Sequence, residues 1–240
     1  MERKEENLEN KTEKRKKTGN ITIKANKNGR HIMVLMNILR CIIVPFYYIL
    51  KPFRFYGNRK VKDGACVYIC NHYTLFDCAY VACTTWEGIH FVAKKESFDV
   101  PGLGFLMRRV KTIKVNRDGN DVRGLLDCLK CLKNGEKISI FPEGTRNRKG
   151  GDMLPFRHGA AMMAIRSKTP IVPMALYEKP RFFRCAHVLI GEPFELSEYY
   201  DRKLTEEDYS EADQKLYNKL VEMRREHAEF LKAKKKGKSK

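Results

Sequence analysis

A histidine and an aspartate five positions apart are the first residues whose types and spacing could do chemistry: His72 and Asp77, in the stretch NHYTLFD. A carboxylate that holds one ring nitrogen of an imidazole leaves the other nitrogen free to accept a proton from a hydroxyl. The same two side chains can instead bind a metal ion or form a hydrogen-bonded pair in the core. Spacing alone favours the structural interpretation and leaves the other two open.

Two later stretches could bring positive charge to this histidine. The stretch FPEGTR at residues 141–146 passes from an apolar run into a turn whose glycine lets the backbone approach a ligand, and its arginine has a planar guanidinium that suits a phosphate. A tight turn with an exposed arginine is the alternative. The stretch KTIKVNR at residues 111–117 also ends in arginine. Two arginines near one histidine would suit a phosphorylated alcohol as substrate.

The elements that must position these residues follow an α/β pattern. Continuous apolar runs of strand length predict strands buried on both faces, at residues 65–70, 137–141, 170–176 and 187–190. Helical patterns alternate with them, at residues 76–85, 123–133 and 158–167. This alternation predicts a single layered α/β domain. Ligands of such sheets bind at the carboxyl ends of the strands, where the polar stretches lie.

The segment at residues 32–50 is apolar and has about the length of a membrane-spanning helix, ~20 residues. Asn37, Arg40 and Pro45 interrupt it, and a charged group or a proline within a lone span is unfavourable. We therefore expect a kinked pair of helices that lies in one leaflet, with a buried core helix as the alternative. The predicted organisation is a disordered basic arm at 1–30, a membrane-associated helical segment at 31–58, an α/β domain at 59–200, and an exposed charged helix (Glu206 to Leu231) with a basic tail at 201–240.

The composition narrows the class of partner. The 48 basic and 29 acidic residues give a net charge of +19, which favours anionic partners such as nucleic acid, anionic lipid or phosphorylated substrates. A basic nucleic-acid-binding protein is one candidate, but the sequence contains no recognised nucleic-acid motif. A metal-dependent hydrolase is another, but His72 and Asp77 lack further spaced ligands. Eight scattered cysteines predict reduced thiols in a cytosolic setting, and Cys128-x-x-Cys131 has no second pair to complete a zinc or redox site.

The order of the stretches resembles the four-block signature of the glycerolipid acyltransferases. The blocks are NHxxxxD at residues 71–77, VNR at 115–117, FPEGTR at 141–146 and IVPM at 171–174. Within that superfamily the chain most resembles the 1-acylglycerol-3-phosphate (lysophosphatidic acid) acyltransferases, over about residues 30 to 195. The second block departs from the pattern at Asn116, where an acidic residue is often found, so Arg146 is a stronger candidate than Arg117.

The resemblance implies a single αβα-layered acyltransferase domain with a central mixed, largely parallel sheet, preceded by a membrane-associated helical segment. It implies transfer of a fatty acyl group from an acyl carrier protein or coenzyme A thioester to the sn-2 hydroxyl of 1-acylglycerol 3-phosphate, which gives phosphatidic acid. His72 would be the general base and Asp77 would orient it. The implied substrate-binding residues are Arg117, Glu143, Gly144, Thr145 and Arg146, with the two arginines on the phosphate.

The same resemblance implies no metal and no cofactor other than the acyl thioester co-substrate. The expected partners are lysophosphatidic acid and a phospholipid surface, with no nucleic acid, and the expected location is the cytoplasmic face of the cell membrane as a peripheral or monotopic protein. Acceptors of the same superfamily that stay open are glycerol 3-phosphate, a lysophospholipid with a larger head group, and a lyso-aminolipid.

Overall fold

A seven-stranded sheet forms the centre of the molecule. The computed structural model describes residues 27–59, 64–116, 122–157 and 159–237. The strands are β1 (Phe53–Gly57), β2 (Cys66–Cys70), β3 (Ile89–Lys94), β4 (Ile113–Val115), β5 (Lys137–Ile140), β6 (Ile171–Leu176) and β7 (Ala186–Ile190). They lie in the order β1-β7-β6-β2-β5-β3-β4, and only β6 and β7 pair antiparallel. The predicted mixed, largely parallel sheet is confirmed.

Helices cover both faces of this sheet. They are α1 (Lys27–Leu50), α2 (Asp77–Ala82), α3 (Leu103–Arg109), α4 (Val122–Lys133), α5 (Ala160–Ser167) and α6 (Glu206–Gly237). On one face α4, α5 and α6 pack into a core through side chains such as Cys128, Ala164 and Leu216. On the other face α1 and α2 contribute Tyr47 and Tyr80 to a second core. Every residue of β2 and β6 is buried between them, which confirms the predicted αβα layers.

The C-terminal helix α6 belongs to the core, and its prediction as an exposed helix was wrong. Ala212, Leu216 and Leu220 are fully buried, and their spacing by four places them on one face of the helix. At the start of the helix the Thr205 N–H donates to Oδ2 of Asp208 at 2.8 Å, as in a capping box. Charged residues on the other faces of α6 conceal this apolar stripe in the sequence.

The apolar N-terminal segment forms one helix, where the sequence predicted a kinked pair. Helix α1 begins at Lys27, inside the predicted basic arm, and continues through Pro45; residues 1–26 lie outside the described part of the chain. Proline removes one intrahelical hydrogen bond, and Pro45 lies at an exposed position of the helix. In the described residues, no helix has the combination of length and apolarity that crossing a membrane requires.

The aromatic stretch after α1 is an edge strand of the sheet, so the helical prediction for residues 31–58 was wrong at residues 53–57. These residues form β1, which pairs parallel with β7. Phe53 packs edge-on against Tyr80 at a centroid distance of 5.3 Å. A Cβ on Gly57 would lie 1.9 Å from the Ile190 carbonyl oxygen, so only glycine allows this pairing to close. Aromatic residues suit both a strand and a membrane interface, which is why composition did not distinguish the two.

Candidate active site

The loop that carries the histidine is fixed to the sheet by the side chain before it. Asn71 is fully buried; its Nδ2 donates to the Leu176 carbonyl at 3.1 Å, and its Oδ1 accepts from the Leu176 N–H at 2.7 Å. Leu176 is the last residue of β6, which the IVPM block begins. Strand β6, which contains the fourth block, therefore fixes Asn71. Asn71 in turn positions the neighbouring His72 at the carboxyl edge of the sheet.

His72 and Asp77 contact each other directly. Nδ1 of His72 lies 2.9 Å from Oδ2 of Asp77, and the two side chains are 17% and 0% exposed. Asp77 also accepts from the backbone N–H groups of Tyr73 and Thr74 at 2.6 and 2.7 Å and from the Thr74 hydroxyl at 2.6 Å. A carboxylate with this many donors acts as an acceptor only, so the imidazole proton belongs on Nδ1 and Nε2 keeps its lone pair.

The spacing Thr74-x-x-Asp77 is a further sequence signal for the position of the aspartate. It is the spacing of a capping box, in which the later side chain reaches back to the N–H of the earlier residue. Here Asp77 does this at the start of α2 and binds the His72 ring with the same oxygen. The carboxylate is thus held by the turn that precedes the helix, independently of its contact with the histidine.

Glu143 joins two backbone segments beneath the histidine. Its Oε1 accepts from the His72 N–H at 2.6 Å and its Oε2 accepts from the Leu154 N–H at 2.9 Å. The side chain is 2% exposed, and burial raises the pKa of the Glu143 carboxyl although these two hydrogen bonds lower it. Both carboxylate oxygens are therefore used within the protein.

The FPEGTR stretch lies directly against the histidine. The Phe141 ring stacks on the His72 ring at a centroid distance of 4.1 Å and an interplanar angle of 18°. Gly144 has a φ of 67°, and its N–H donates to the Phe141 carbonyl at 3.0 Å, which closes the turn. Asn147 donates its N–H to the His72 carbonyl at 2.7 Å. The first and third blocks thus meet at His72.

Of the two candidate phosphate-binding arginines, Arg146 lies in the described part of the chain and Arg117 does not. Arg146 and its neighbour Thr145 are solvent-exposed, one residue before the Asn147 bond to the histidine loop. Arg117 lies outside the described residues. The block that contains Arg117 follows β4, three strands away from β2 in the sheet. Neighbouring strands are about 4.8 Å apart, so the ends of β2 and β4 are separated by roughly 14 Å.

These features place a histidine and a buried carboxylate in contact at the carboxyl edge of an α/β sheet, an arrangement that is chemically able to act as a general base. The imidazole, with a side chain that is 17% exposed, is oriented through Nδ1 by a buried carboxylate and packed on an aromatic ring. An exposed arginine follows in the adjacent loop.

Residues 52–177 match the protein family described as Acyltransferase, which is more than half of the 240-residue chain, and the chain belongs to that family. It is 33% identical over 138 residues to the 1-acyl-sn-glycerol-3-phosphate acyltransferase BAT2 of Brassica napus, over 56% of this chain and 38% of that protein. It is 32% identical over 124 residues to the 1-acyl-sn-glycerol-3-phosphate acyltransferase of Helicobacter pylori, over 50% and 52%. For the enzyme of that name from Bacillus subtilis the identity is 32% over 117 residues, and the shares are 46% and 57%. The chain spans about half the length of the curated relatives that it matches, or less.

A solved structure shares the fold. The crystal structure of the 1-acyl-sn-glycerophosphate (LPA) acyltransferase PlsC from Thermotoga maritima aligns with a TM-score of 0.57 and 21% sequence identity, over 80% of this chain and 78% of that one. This likeness shows the αβα acyltransferase fold.

Proposed function

We propose that this chain transfers a fatty acyl group from an acyl thioester to the sn-2 hydroxyl of 1-acylglycerol 3-phosphate, forming phosphatidic acid for phospholipid synthesis. The observation that carries the proposal is the contact between His72 and Asp77, which leaves Nε2 of an accessible imidazole free to act as a base. The names of the relatives support the acceptor.

In the proposed reaction His72 takes the proton of the acceptor hydroxyl on Nε2 as the oxygen attacks the thioester carbonyl. Asp77 holds the ring through Nδ1–H and stabilises the imidazolium that forms. Collapse of the tetrahedral intermediate breaks the C–S bond, and the thiol of the carrier leaves with the proton from Nε2. No cofactor takes part, and the carrier is coenzyme A or acyl carrier protein.

Direct transfer is also supported by the cysteines beside the base. Desolvation of the half-buried Cys78 thiol raises its pKa, and Asp77 adds to the shift. Burial also raises the pKa of Cys70 well above its usual value. Thiols in this state are poor nucleophiles at neutral pH, which argues against an acyl-enzyme on either residue.

The acceptor phosphate needs cations near the base, and two sets are available. Arg146 follows the stacked Phe141 by five residues and is exposed. A groove lined by Lys95, Lys114 and Arg123, together with the acidic Asp127, lies at the carboxyl ends of β3 and β4, on the same edge of the sheet as His72. We assign the acceptor phosphate to Arg146 together with Arg117, and the groove is suited to the anionic groups of a thioester carrier.

A lipid acceptor requires attachment to a membrane, and α1 offers an apolar surface for it. Ile38, Ile42, Phe46 and Ile49 are each at least half exposed and recur every three or four residues, so they form one face, which we call the α1 apolar surface. A helix with such a face can lie in the interface of a bilayer.

The end of α1 contacts the loop before β7, and Lys51, the residue after α1, lies near the residue that precedes Asp77. Phe183, an exposed aromatic, donates its N–H to the Leu50 carbonyl at 2.8 Å. The Lys51 ammonium lies 4.5 Å from the centroid of the Phe182 ring and 5.9 Å from that of Phe76, the residue before Asp77. We propose that this side of the molecule rests on anionic phospholipid at the cytoplasmic face of the cell membrane, with the site facing the lipid.

The test is an assay of the purified full-length protein with four acceptors and two donors. The acceptors are 1-acylglycerol 3-phosphate, glycerol 3-phosphate, a lysophosphatidylcholine and a lyso-aminolipid, each with acyl coenzyme A and acyl carrier protein thioesters. We expect the highest kcat/KM with 1-acylglycerol 3-phosphate. A higher value with another acceptor would replace the proposed acceptor, and no acyl transfer with any pair would overturn the proposal.

Two variants test the roles of the residues in the same assay. His72→Ala should lower kcat by several orders of magnitude while circular dichroism shows a folded protein. Arg146→Ala should mainly raise the KM for the acceptor, because it removes a phosphate contact. Arg148→Ala, which removes an exposed arginine from the same loop, is the matched control. An equal effect of both arginine variants would indicate general electrostatic attraction instead of a phosphate site.

A further inference from the structure

Three metal-ligating side chains converge on the edge of the sheet opposite His72. His90 is the second residue of β3, Cys131 lies in the last turn of α4, and Glu136 directly precedes β5. One ligand atom from each lies within 4.8 Å of the other two. Because β3 and β5 run parallel to β2, this cluster is at the amino ends of the strands, whereas His72 follows the carboxyl end.

The imidazole of the cluster is already oriented as a metal ligand would be. Nδ1 of His90 lies 3.0 Å from the Lys111 carbonyl oxygen, so this nitrogen carries the proton. Metal-binding histidines commonly use one nitrogen in this way and turn the other towards the ion. Here Nε2 faces the Glu136 carboxylate, with 3.3 Å between Nε2 and Oε2.

The distances fit a tetrahedral divalent cation. Metal–nitrogen and metal–oxygen bonds of about 2.05 Å at a tetrahedral angle place the two ligand atoms roughly 3.4 Å apart. A metal–sulfur bond of about 2.3 Å places the sulfur roughly 3.6 Å from each of them. The existing Nε2–Oε2 separation is therefore close to the required value, and the distances from Cys131 Sγ to the other two ligand atoms must shorten by no more than about 1.2 Å.

Without a cation, electron-rich atoms of His90 and Glu136 face each other in the cluster. The His90 and Glu136 side chains are 7% and 16% exposed, so water does little to separate their charges and lone pairs. When Nδ1 holds the single proton of a neutral imidazole, the Nε2 lone pair faces a carboxylate. Cys131 is hydrogen-bonded to the same carboxylate, so Glu136 faces both of the other side chains. A cation with one neutral, one thiolate and one carboxylate ligand relieves the repulsion for all three and makes the site neutral.

We propose that His90, Cys131 and Glu136 bind a zinc-class divalent cation, with water in the fourth position. Nitrogen and sulfur ligands favour zinc over magnesium or calcium. Cys131 gives its proton to the solvent when the metal binds, since the thiolate is the ligand. The bound ion joins β3, α4 and β5, and it stabilises the sheet without entering the acyl transfer at the other edge.

Cobalt binding to the purified full-length protein tests the proposal, because a thiolate ligand gives Co²⁺ a near-ultraviolet charge-transfer band. The metal is first removed with a chelator, and Co²⁺ and then Zn²⁺ are titrated. We expect one Co²⁺ per chain with this band, displacement by Zn²⁺, and a higher Tm with Zn²⁺ than after chelation. No band, or no stoichiometric binding, would overturn the site.

Two cysteines one turn apart supply the matched control. Cys131→Ala should abolish the charge-transfer band, whereas Cys128→Ala, on the same helix, should keep it. A band that survives in Cys131→Ala, or is lost in a folded Cys128→Ala protein, would contradict the assignment. Glu136→Gln adds a milder change: it should weaken cobalt binding at least tenfold and keep the band. Affinity unchanged by Glu136→Gln would exclude the carboxylate as a ligand.

Discussion

Replacing Glu143 by glutamine should loosen the histidine loop without removing any group that reacts. The carboxylate accepts from the N–H groups of His72 and Leu154, and glutamine has only one acceptor oxygen. One of the two N–H groups then faces an amide NH₂. A buried donor left without a partner costs about 1–3 kcal/mol. Burial raises the pKa of Glu143, so a negative charge is unfavourable at this position. Glutamine is neutral and therefore avoids the free-energy cost of burying that charge. We therefore expect the free energy of unfolding to fall by about 1–2 kcal/mol, the lower part of the range for an unpaired donor.

The loss should appear in both stability and turnover. For a chain of this length 1 kcal/mol corresponds to about 2–4 °C in Tm, so Glu143→Gln should lower Tm by roughly 2–8 °C. A small displacement of a catalytic group can cost about 10²-fold in rate. We expect kcat to fall about 10- to 100-fold, with the acceptor KM within about twofold of the original value. Glu195→Gln, at an exposed carboxylate, is the control and should change neither quantity.

The kinetic pattern decides between two roles for Glu143. The family resemblance places Glu143 in the loop around the acceptor, and a direct contact with the acceptor would appear as a raised KM. If Glu143→Gln raised the acceptor KM while Tm and kcat stayed unchanged, the proposed role of Glu143 in holding the His72 and Leu154 backbone segments together would be refuted.

Three further changes have separate physical causes. Asp77→Asn should lower kcat about 10²-fold in steady-state assays, because the amide oxygen can keep the acceptor position of Oδ2 while the charge that stabilises the His72 imidazolium is lost; an unchanged kcat would show that this charge has no role. Asn71→Ala should cost about 2–4 kcal/mol in urea unfolding, because it leaves the buried Leu176 N–H and carbonyl without partners. His227→Phe should flatten the pH dependence of Tm. Burial lowers the pKa of His227 to about 4 from 6.5, so between these values the unfolded chain binds more protons and the native protein loses about 2–3 kcal/mol as pH falls; an equally steep dependence in the variant would refute this.

The sequence contained the local part of the site in full. His72 and Asp77 are five residues apart, and a loop followed by a helix brings them together without help from distant segments. The buried strands at the centre were also predictable, since runs such as residues 66–70 and 171–176 are continuously apolar. The predicted ends of these strands differ from the structure by one residue.

Contacts between residues far apart in the chain could not be predicted from the spacing of residue types. Glu143 binds a backbone N–H 71 positions earlier, and no spacing signals such a bond. Strand β3 contains His90 and ends in a lysine, so it lacks the uninterrupted apolarity that marked the central strands. The cluster around His90 is hidden for the same reason, because the strand pairing places it beside Glu136, whereas the sequence separates the two by 46 positions.

In the proposed mechanism, the proton transfer and the choice of acceptor depend on separate side chains of this site. The base is fixed from beneath by two buried carboxylates, Asp77 on its ring and Glu143 on its backbone N–H, and both use their oxygens inside the protein. Such a base is positioned before any substrate arrives, which keeps the cost of orientation out of the reaction step. The groups that remain available to a ligand include Arg146 and the α1 apolar surface, whose side chains are exposed. Arg146 lies in the loop whose Phe141 stacks on the ring, whereas the α1 apolar surface lies on a separate helix. Substitutions there should therefore change which lipid is accepted and leave the proton transfer at His72 intact.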